Sequence, residues 1–348
     1  MSWNLLPQQL QHLIYSLLCT PEDKSSLLLC DRSTYASIMS QTSELHVDIT
    51  RDTFLPSPNT LQLQAIRQRV HTLHFENSGF VTAMHVTMMQ LPLQLTYTTL
   101  RTLSFGRCMN MQRLPVDLPP LLDVLECGGC MDLTHLPDHL PSTLRTLSCK
   151  KCVRLTHLPQ QLPPSLHVLN CTGCTSLQSL PELPRSTHTL DCSFCYKLTR
   201  LPSVMPPVMH TLDYSNCMDL RQPPDNLPSV VHTLDISCSD LAPLPDRLPS
   251  EIHTFICQHR EGMVQLPLLP DTLHTLDVSF CYDLMGFPER LPAPLHTLTC
   301  YGCIHVSCLP CPLPPTLRVL NCGRCISMKW PPDHLPLTLE LVVSPPDL

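Results

Sequence analysis

Pairs of cysteines separated by two residues recur along this chain: Cys127 and Cys130, Cys149 and Cys152, Cys171 and Cys174, Cys192 and Cys195. Thiols at this spacing serve as zinc ligands or as dithiol redox centres. Cys127-x-x-Cys130, followed after eighteen residues by Cys149-x-x-Cys152, has the spacing of a zinc ribbon. Beside them run two further columns. His167, His188, His210, His232, His253, His274 and His296 are 21 or 22 residues apart. Imidazoles in a row bind metal or change charge near pH 6.5. Asp191, Asp213 and Asp235 follow the same interval, and Asp277 rejoins it two units later. Stacked about 5 Å apart, such carboxylates repel one another and favour a cationic partner.

The interval itself decides how these groups are held. The second leucine of an L-x-x-L, or its substitute, falls at 103, 125, 147, 169, 190, 212, 234, 255, 276, 298 and 320. Eleven copies of one short unit mean a solenoid, which grows by addition. Placed on this period, the two cysteines of a pair occupy different positions. The first (Cys127, Cys149, Cys171, Cys192, Cys257, Cys300, Cys322) alternates with Phe105, Tyr214, Ile236 and Val278. A position that takes phenylalanine and valine is apolar, so cysteine there is a small hydrophobe. The second (Cys108, Cys130, Cys152, Cys174, Cys195, Cys217, Cys281, Cys303, Cys325) stands in the turn, where a thiol bonds backbone weakly. The expectation is two packing columns and no metal ligands. Cys308-Leu309-Pro310-Cys311 falls outside both columns.

The unit reads roughly L-H-T-L-D-C-S-x-C-x-x-L-x-x-L-P-x-x-L-P-P-S. It resembles the leucine-rich repeat, L-x-x-L-x-L-x-x-N/C-x-L, over residues 97–343. The likeness is to the short, proline-rich subtype, with FNIP-type repeats as near neighbours. It implies an α/β solenoid with a parallel β-sheet on the concave side. Pro137, Pro141, Pro159, Pro163 and Pro164 exclude a regular helix from the return, so the convex side is expected to be extended, polyproline II or 3-10. The residue after the second leucine then points off the sheet. That column contains Glu126, Asp191, Asp213, Asp235 and Asp277, and it suits a basic protein partner on the concave face. The competing reading is that neighbouring threonines and serines solvate these carboxylates. Phe194, Phe280 and Tyr301, in the turns, are candidate aromatic anchors. Arg101, Arg145 and Arg318 share the histidine column, which also reads as a tolerated residue copied with its unit.

Residues 42–96 carry irregular first repeats. Leu45-His46-Val47 and Val70–Phe75 read as strands, and Thr60–Arg67 as a short helix. Leu339-x-x-Val342 is one period beyond Leu317-x-x-Leu320 and reads as the last strand. Residues 1–41 differ in kind. Leu6, Leu10, Leu13, Ile14, Leu17 and Leu18 keep helical spacing, and Thr20-Pro21 starts a second helix. Leu6-Pro7-Gln8-Gln9-Leu10, with Leu27-Leu28-Leu29-Cys30 and Tyr35, resembles an F-box. That resemblance implies docking to a Skp-type adaptor of a cullin ubiquitin ligase through Leu5, Leu6, Pro7, Leu10, Ile14, Leu27 and Leu28. The other reading is a helical cap on the first repeat.

Function classes are narrowed by what remains. Net charge is −7 without a basic stripe, which argues against nucleic acid. No signal peptide or membrane-spanning run is read. Twenty-one cysteines, an odd number, suggest free thiols inside a cell, in cytoplasm or nucleus. No P-loop, nucleophile elbow, HExxH or dinucleotide loop is found, so neither an enzyme nor a cofactor is expected. The sequence predicts a substrate-recognition adaptor of a ubiquitin ligase, or a stand-alone repeat scaffold.

Overall fold

A computed structural model describes residues 45–49, 70–75, 100–221, 227–238, 247–332 and 334–345. The chain divides into two compact units, residues 1–166 and 167–348, and each is a parallel β-solenoid. The first holds β1 (Leu45–Ile49), β2 (Val70–Phe75), β3 (Thr102–Ser104), β4 (Val124–Glu126) and β5 (Thr146–Ser148). The second holds β6 (Val168–Asn170), β7 (Thr189–Asp191), β8 (Val208–Asp213), β9 (Val230–Asp235), β10 (Thr254–Ile256), β11 (Thr275–Asp277), β12 (Thr297–Thr299), β13 (Val319–Asn321) and β14 (Leu341–Val343). Within each unit every strand pairs in parallel with the next in sequence.

Register follows the period. Leu103 faces Leu125 and Leu125 faces Leu147. Leu190 faces Leu212, Leu212 faces Leu234, and Phe255 faces Leu276. Strands of three residues suffice because each repeat needs one inward side chain there, flanked by β-favouring threonine or valine on the open face. The inward leucines are almost wholly buried, as are Leu133, Leu155, Leu177 and Leu284 of the return segments. Among the described residues there is no helix, and the returns are extended chain and turns. Proline explains this, since it forbids continuous helical hydrogen bonding. Parallel backbone bridges at Arg113–His135 and Ser179–Arg200 tie the returns of adjacent repeats. The short helix read over residues 60–67 and the helical segment 1–41 lie outside the described residues. No described helix is long and apolar enough to cross a membrane.

Two side-chain ladders lock repeat to repeat. Turn cysteines donate their thiols to a carbonyl one repeat back: Cys130 to Phe105 (3.1 Å) and Cys152 to Cys127 (3.0 Å) in the first unit. Cys195 to Cys171 (3.1 Å), Cys281 to Cys257 (2.9 Å) and Cys325 to Cys300 (3.0 Å) repeat this in the second. The second ladder is made of hydroxyls. Thr143 donates to the carbonyls of Pro120 (3.1 Å) and Leu122 (2.8 Å), and Thr316 to those of Ala293 (2.6 Å) and Leu295 (2.8 Å). The hydroxyls satisfy carbonyls that lie outside the short strands, while the thiols add a second bond to carbonyls such as those of Phe105, Cys127, Cys171 and Cys300, which already close their own turns.

Candidate protein-binding face

The aspartates in the column after each inward leucine leave the sheet on its open side, and the structure gives them a local duty. Asp191 Oδ1 accepts the Ser193 amide (3.1 Å) and hydroxyl (2.7 Å). Asp235 holds Ser237 likewise (3.0 and 2.7 Å), Asp277 holds Ser279 (2.9 and 2.6 Å), and Asp213 accepts the Ser215 amide (2.9 Å). Each aspartate therefore caps the turn that follows its own strand. Asn170 and Asn321 do the same for Thr172 and Gly323. The serines solvate these carboxylates as one reading expected. Thr189 does otherwise: its Oγ1 meets His188 Nδ1 at 3.2 Å.

Capping engages one carboxylate oxygen and leaves the row half-buried on the open face of β7, β8, β9 and β11. Burial, with the neighbouring aspartates, pushes Asp213 up to about 6. Burial also raises Asp235. The Asp277 Oδ2 accepts the Gln258 side-chain amide at 2.7 Å. No lysine or arginine flanks the inward residue on any strand from β6 to β13. Glu126 is exposed on β4 and belongs to the other unit.

Beyond the strands, each turn from β3 to β13 places a residue in the left-handed region, three positions after the last residue of its strand. Arg107 (φ 58°), Gly129 (78°), Lys151 (60°), Gly173 (71°), Phe194 (58°), Asn216 (57°), Phe280 (59°), Gly302 (74°) and Arg324 (57°) occupy that position in their repeats. Phe194 is exposed and meets Tyr196 edge-on, centroids 6.4 Å apart at 75°. Phe280 meets Tyr282 in the same way, at 6.3 Å and 71°. Phe280 also stacks on His259 at 4.2 Å and touches Tyr301 edge-on at 5.1 Å. The Phe280 and Tyr301 rings lie over Gly302 and Gly323, where a Cβ would sit 3.0 and 2.7 Å from them. Tyr301 is thereby a half-buried buttress, while Phe194, Tyr196 and Tyr282 are open.

The histidine column is a continuous row of ring contacts in the second unit, stacked at His210–His232 and His274–His296 and tilted or edge-on between the others. Centroids from His167 to His296 are 4.8–5.3 Å apart in succession. Burial, then the neighbouring His210 and His167, lowers the His188 pKa. Ion pairs occupy the same column elsewhere, Arg101–Asp123 in the first unit and Arg318–Glu340 in the second, each at 3.7 Å and exposed. Among the described residues no group of three or more His, Cys, Asp or Glu is arranged to hold a metal. The cysteine pairs show why: Cys127 Sγ points forward to the Ser148 carbonyl (3.3 Å), and Cys130 Sγ points back. Of 19 described cysteines 16 are buried, and Cys308 and Cys311 are exposed. Burial pushes the Cys303 thiol up, and a hydrogen bond with Cys217 together with burial raises Cys192.

Three features were not singled out from sequence. Arg260 stands at the thiol-ladder position and is only 4% exposed. The hydroxyl ladder has a plain signal, Pro-x-Ser/Thr-Leu, at 141–144, 163–166, 270–273 and 314–317. An exposed apolar series also follows the turn, with Met109 and Met131 in the first unit and Met218 and Ile326 in the second. The residues of the F-box resemblance, Leu5, Leu6, Pro7, Leu10, Ile14, Leu27 and Leu28, lie outside the described residues.

No protein-family model matches the sequence, and no curated protein matches it. Solved structures do. YopM from Yersinia enterocolitica WA-314 aligns with TM-score 0.48 and 22% identity, over 79% of this chain and 64% of that one. YopM of Yersinia pestis, a leucine-rich effector protein, aligns with TM-score 0.52 and 23% identity, over 70% of this chain and 77% of that one. CroV588, a circular leucine-rich-repeat protein, aligns with TM-score 0.22 and 15% identity, over 78% of this chain and 58% of that one. The likeness to the Yersinia pestis protein shows the leucine-rich-repeat fold.

Proposed function

We propose that this leucine-rich-repeat chain is a protein-interaction scaffold whose concave sheet face takes a basic protein segment. One observation carries the reading: the half-buried row Asp191, Asp213, Asp235, joined by Asp277, on a face without flanking cations. Carboxylates whose ionised form is made costly by burial gain most when a cation arrives. Rigid repeats with freely varying surface residues suit recognition rather than chemistry, and the leucine-rich fold supports this. The buried free thiols fit a reducing, intracellular setting. The test is co-purification with the full chain at low and high salt. Partners captured at low salt should be basic and should be lost with the triple change Asp191→Asn, Asp213→Asn, Asp235→Asn. Capture unaffected by that change sinks the reading.

A finer reading makes the scaffold the substrate-recognition arm of a cullin ubiquitin ligase. Its support is the F-box resemblance of Leu6-Pro7-Gln8-Gln9-Leu10 and Leu27–Cys30. The full chain should then retain a Skp-type adaptor in pull-down, and residues 42–348 should not. Equal retention, or none by the full chain, leaves a stand-alone scaffold.

A further inference from the structure

The two motifs Asp191-Cys192-Ser193-Phe194-Cys195-Tyr196 and Asp277-Val278-Ser279-Phe280-Cys281-Tyr282 are the same device placed four repeats apart. In both, a phenylalanine and a tyrosine meet edge-on at nearly the same distance and angle. Phe194, Tyr196 and Tyr282 are each more than two-fifths exposed. The frame does not demand phenylalanine at the left-handed position, because Gly129, Gly173, Gly302 and Asn216 stand there in other repeats. An aromatic ring gains nothing in the turn by being exposed, and rigid aromatic side chains are favoured anchors in protein interfaces.

Four strand spacings of about 4.8 Å set the two pairs roughly 19 Å apart. Extended chain covers that span in about six residues at ~3.4 Å each. The acidic row runs through the same repeats, with Asp191 and Asp277 beside the pairs and Asp213 and Asp235 in the repeats between, interrupted by Ile256, and it fixes the sign of whatever spans them. From these observations we infer that the face is a two-anchor clamp for an extended basic segment. The segment carries an apolar or aromatic side chain near each end, about six residues apart, and lysine or arginine between. One end packs on Phe194 and Tyr196, the other on the open ring of Tyr282, which the packed Phe280 backs, and the cations lie over the aspartates. This rests on the basic-partner reading and adds spacing and anchors to it.

Three fluorescent lysine-rich peptides of equal charge test it against the full chain. One carries two tryptophans six residues apart, one carries them two apart, and one carries none. The six-spaced peptide should bind at least about tenfold tighter than the two-spaced one, since only it reaches both anchors. Phe194→Gly should remove that advantage without lowering the melting temperature, because the turn accepts glycine. Equal binding of all three peptides overturns the clamp and leaves the basic-partner reading standing. So does unchanged spacing preference in Phe194→Gly. If no peptide binds, both readings fall together.

Discussion

The Cys152 thiol donates to the Cys127 carbonyl oxygen, 3.0 Å away and one repeat earlier. The same oxygen accepts the amide of Cys130 at 3.3 Å. One carbonyl thus closes its own turn and receives the next repeat. Cys152→Ala removes the second bond and leaves a void in a fully buried site. It should cost about 1–3 kcal/mol in urea unfolding. Cys152→Ser keeps a donor and should lose less. If the alanine variant unfolds with the wild-type midpoint, the thiol ladder contributes nothing.

Reactivity should divide the thiols as burial divides them. Brief alkylation of the native chain, read by peptide mass spectrometry, should label Cys308 and Cys311 within minutes. Cys300, Cys303, Cys322 and Cys325 should label only after denaturation, since buried thiols are inert. Labelling of the ladder at the rate of Cys308 would mean that the solenoid opens there.

The period made the strands, the inward columns and the helix-free returns legible, because one residue type at one interval can mean only one packing position. Val70–Phe75 was equally plain as an irregular early strand. The capping role of Asp191 and Asp277 was not, since alternation says only that a side chain leaves the sheet. Whether it then turns back to Ser193 or Ser279 depends on turn backbone. The pinned rings of Phe280 and Tyr301 depend on Gly302 and Gly323, a relation between different repeats. Arg260 broke a column of cysteines, which the period could flag but not place.

Asp213 and His188 should respond to pH with opposite signs. The Asp213 pKa is raised to about 6 by burial, so the folded state holds the proton more tightly than the unfolded one. Its contribution is complete below about pH 4 and is lost as pH rises through 6. Asp213→Asn should therefore raise the melting temperature at pH 7 and do little at pH 4. The His188 pKa is lowered, so its contribution is present above about pH 6.5 and lost as pH falls below that. His188→Asn should flatten the stability profile on the acid side of 6.5. Parallel profiles for the variant and the wild type would remove that account.

Turn strain gives a reciprocal pair of changes in the first unit. Lys151 is held at φ 60° and Gly129, one repeat earlier, at φ 78° in the same turn position. A side chain in the left-handed region costs about 1–2 kcal/mol, whereas glycine enters it freely. Lys151→Gly relieves that cost but makes the unfolded chain more flexible, by roughly 0.5–1 kcal/mol. The net should be a gain of about 0.5–1 kcal/mol in thermal or urea unfolding. Gly129→Ala runs the other way. It adds left-handed strain, and its new Cβ would meet Arg107 Cγ at 3.3 Å. The two contributions together should cost about 1 kcal/mol or more. Because Arg107 is a flexible exposed side chain, the packing share should shrink in an Arg107→Ala background, while the strain share persists. Were Gly129→Ala neutral in both backgrounds, the left-handed turn would not be a stability determinant of the repeat.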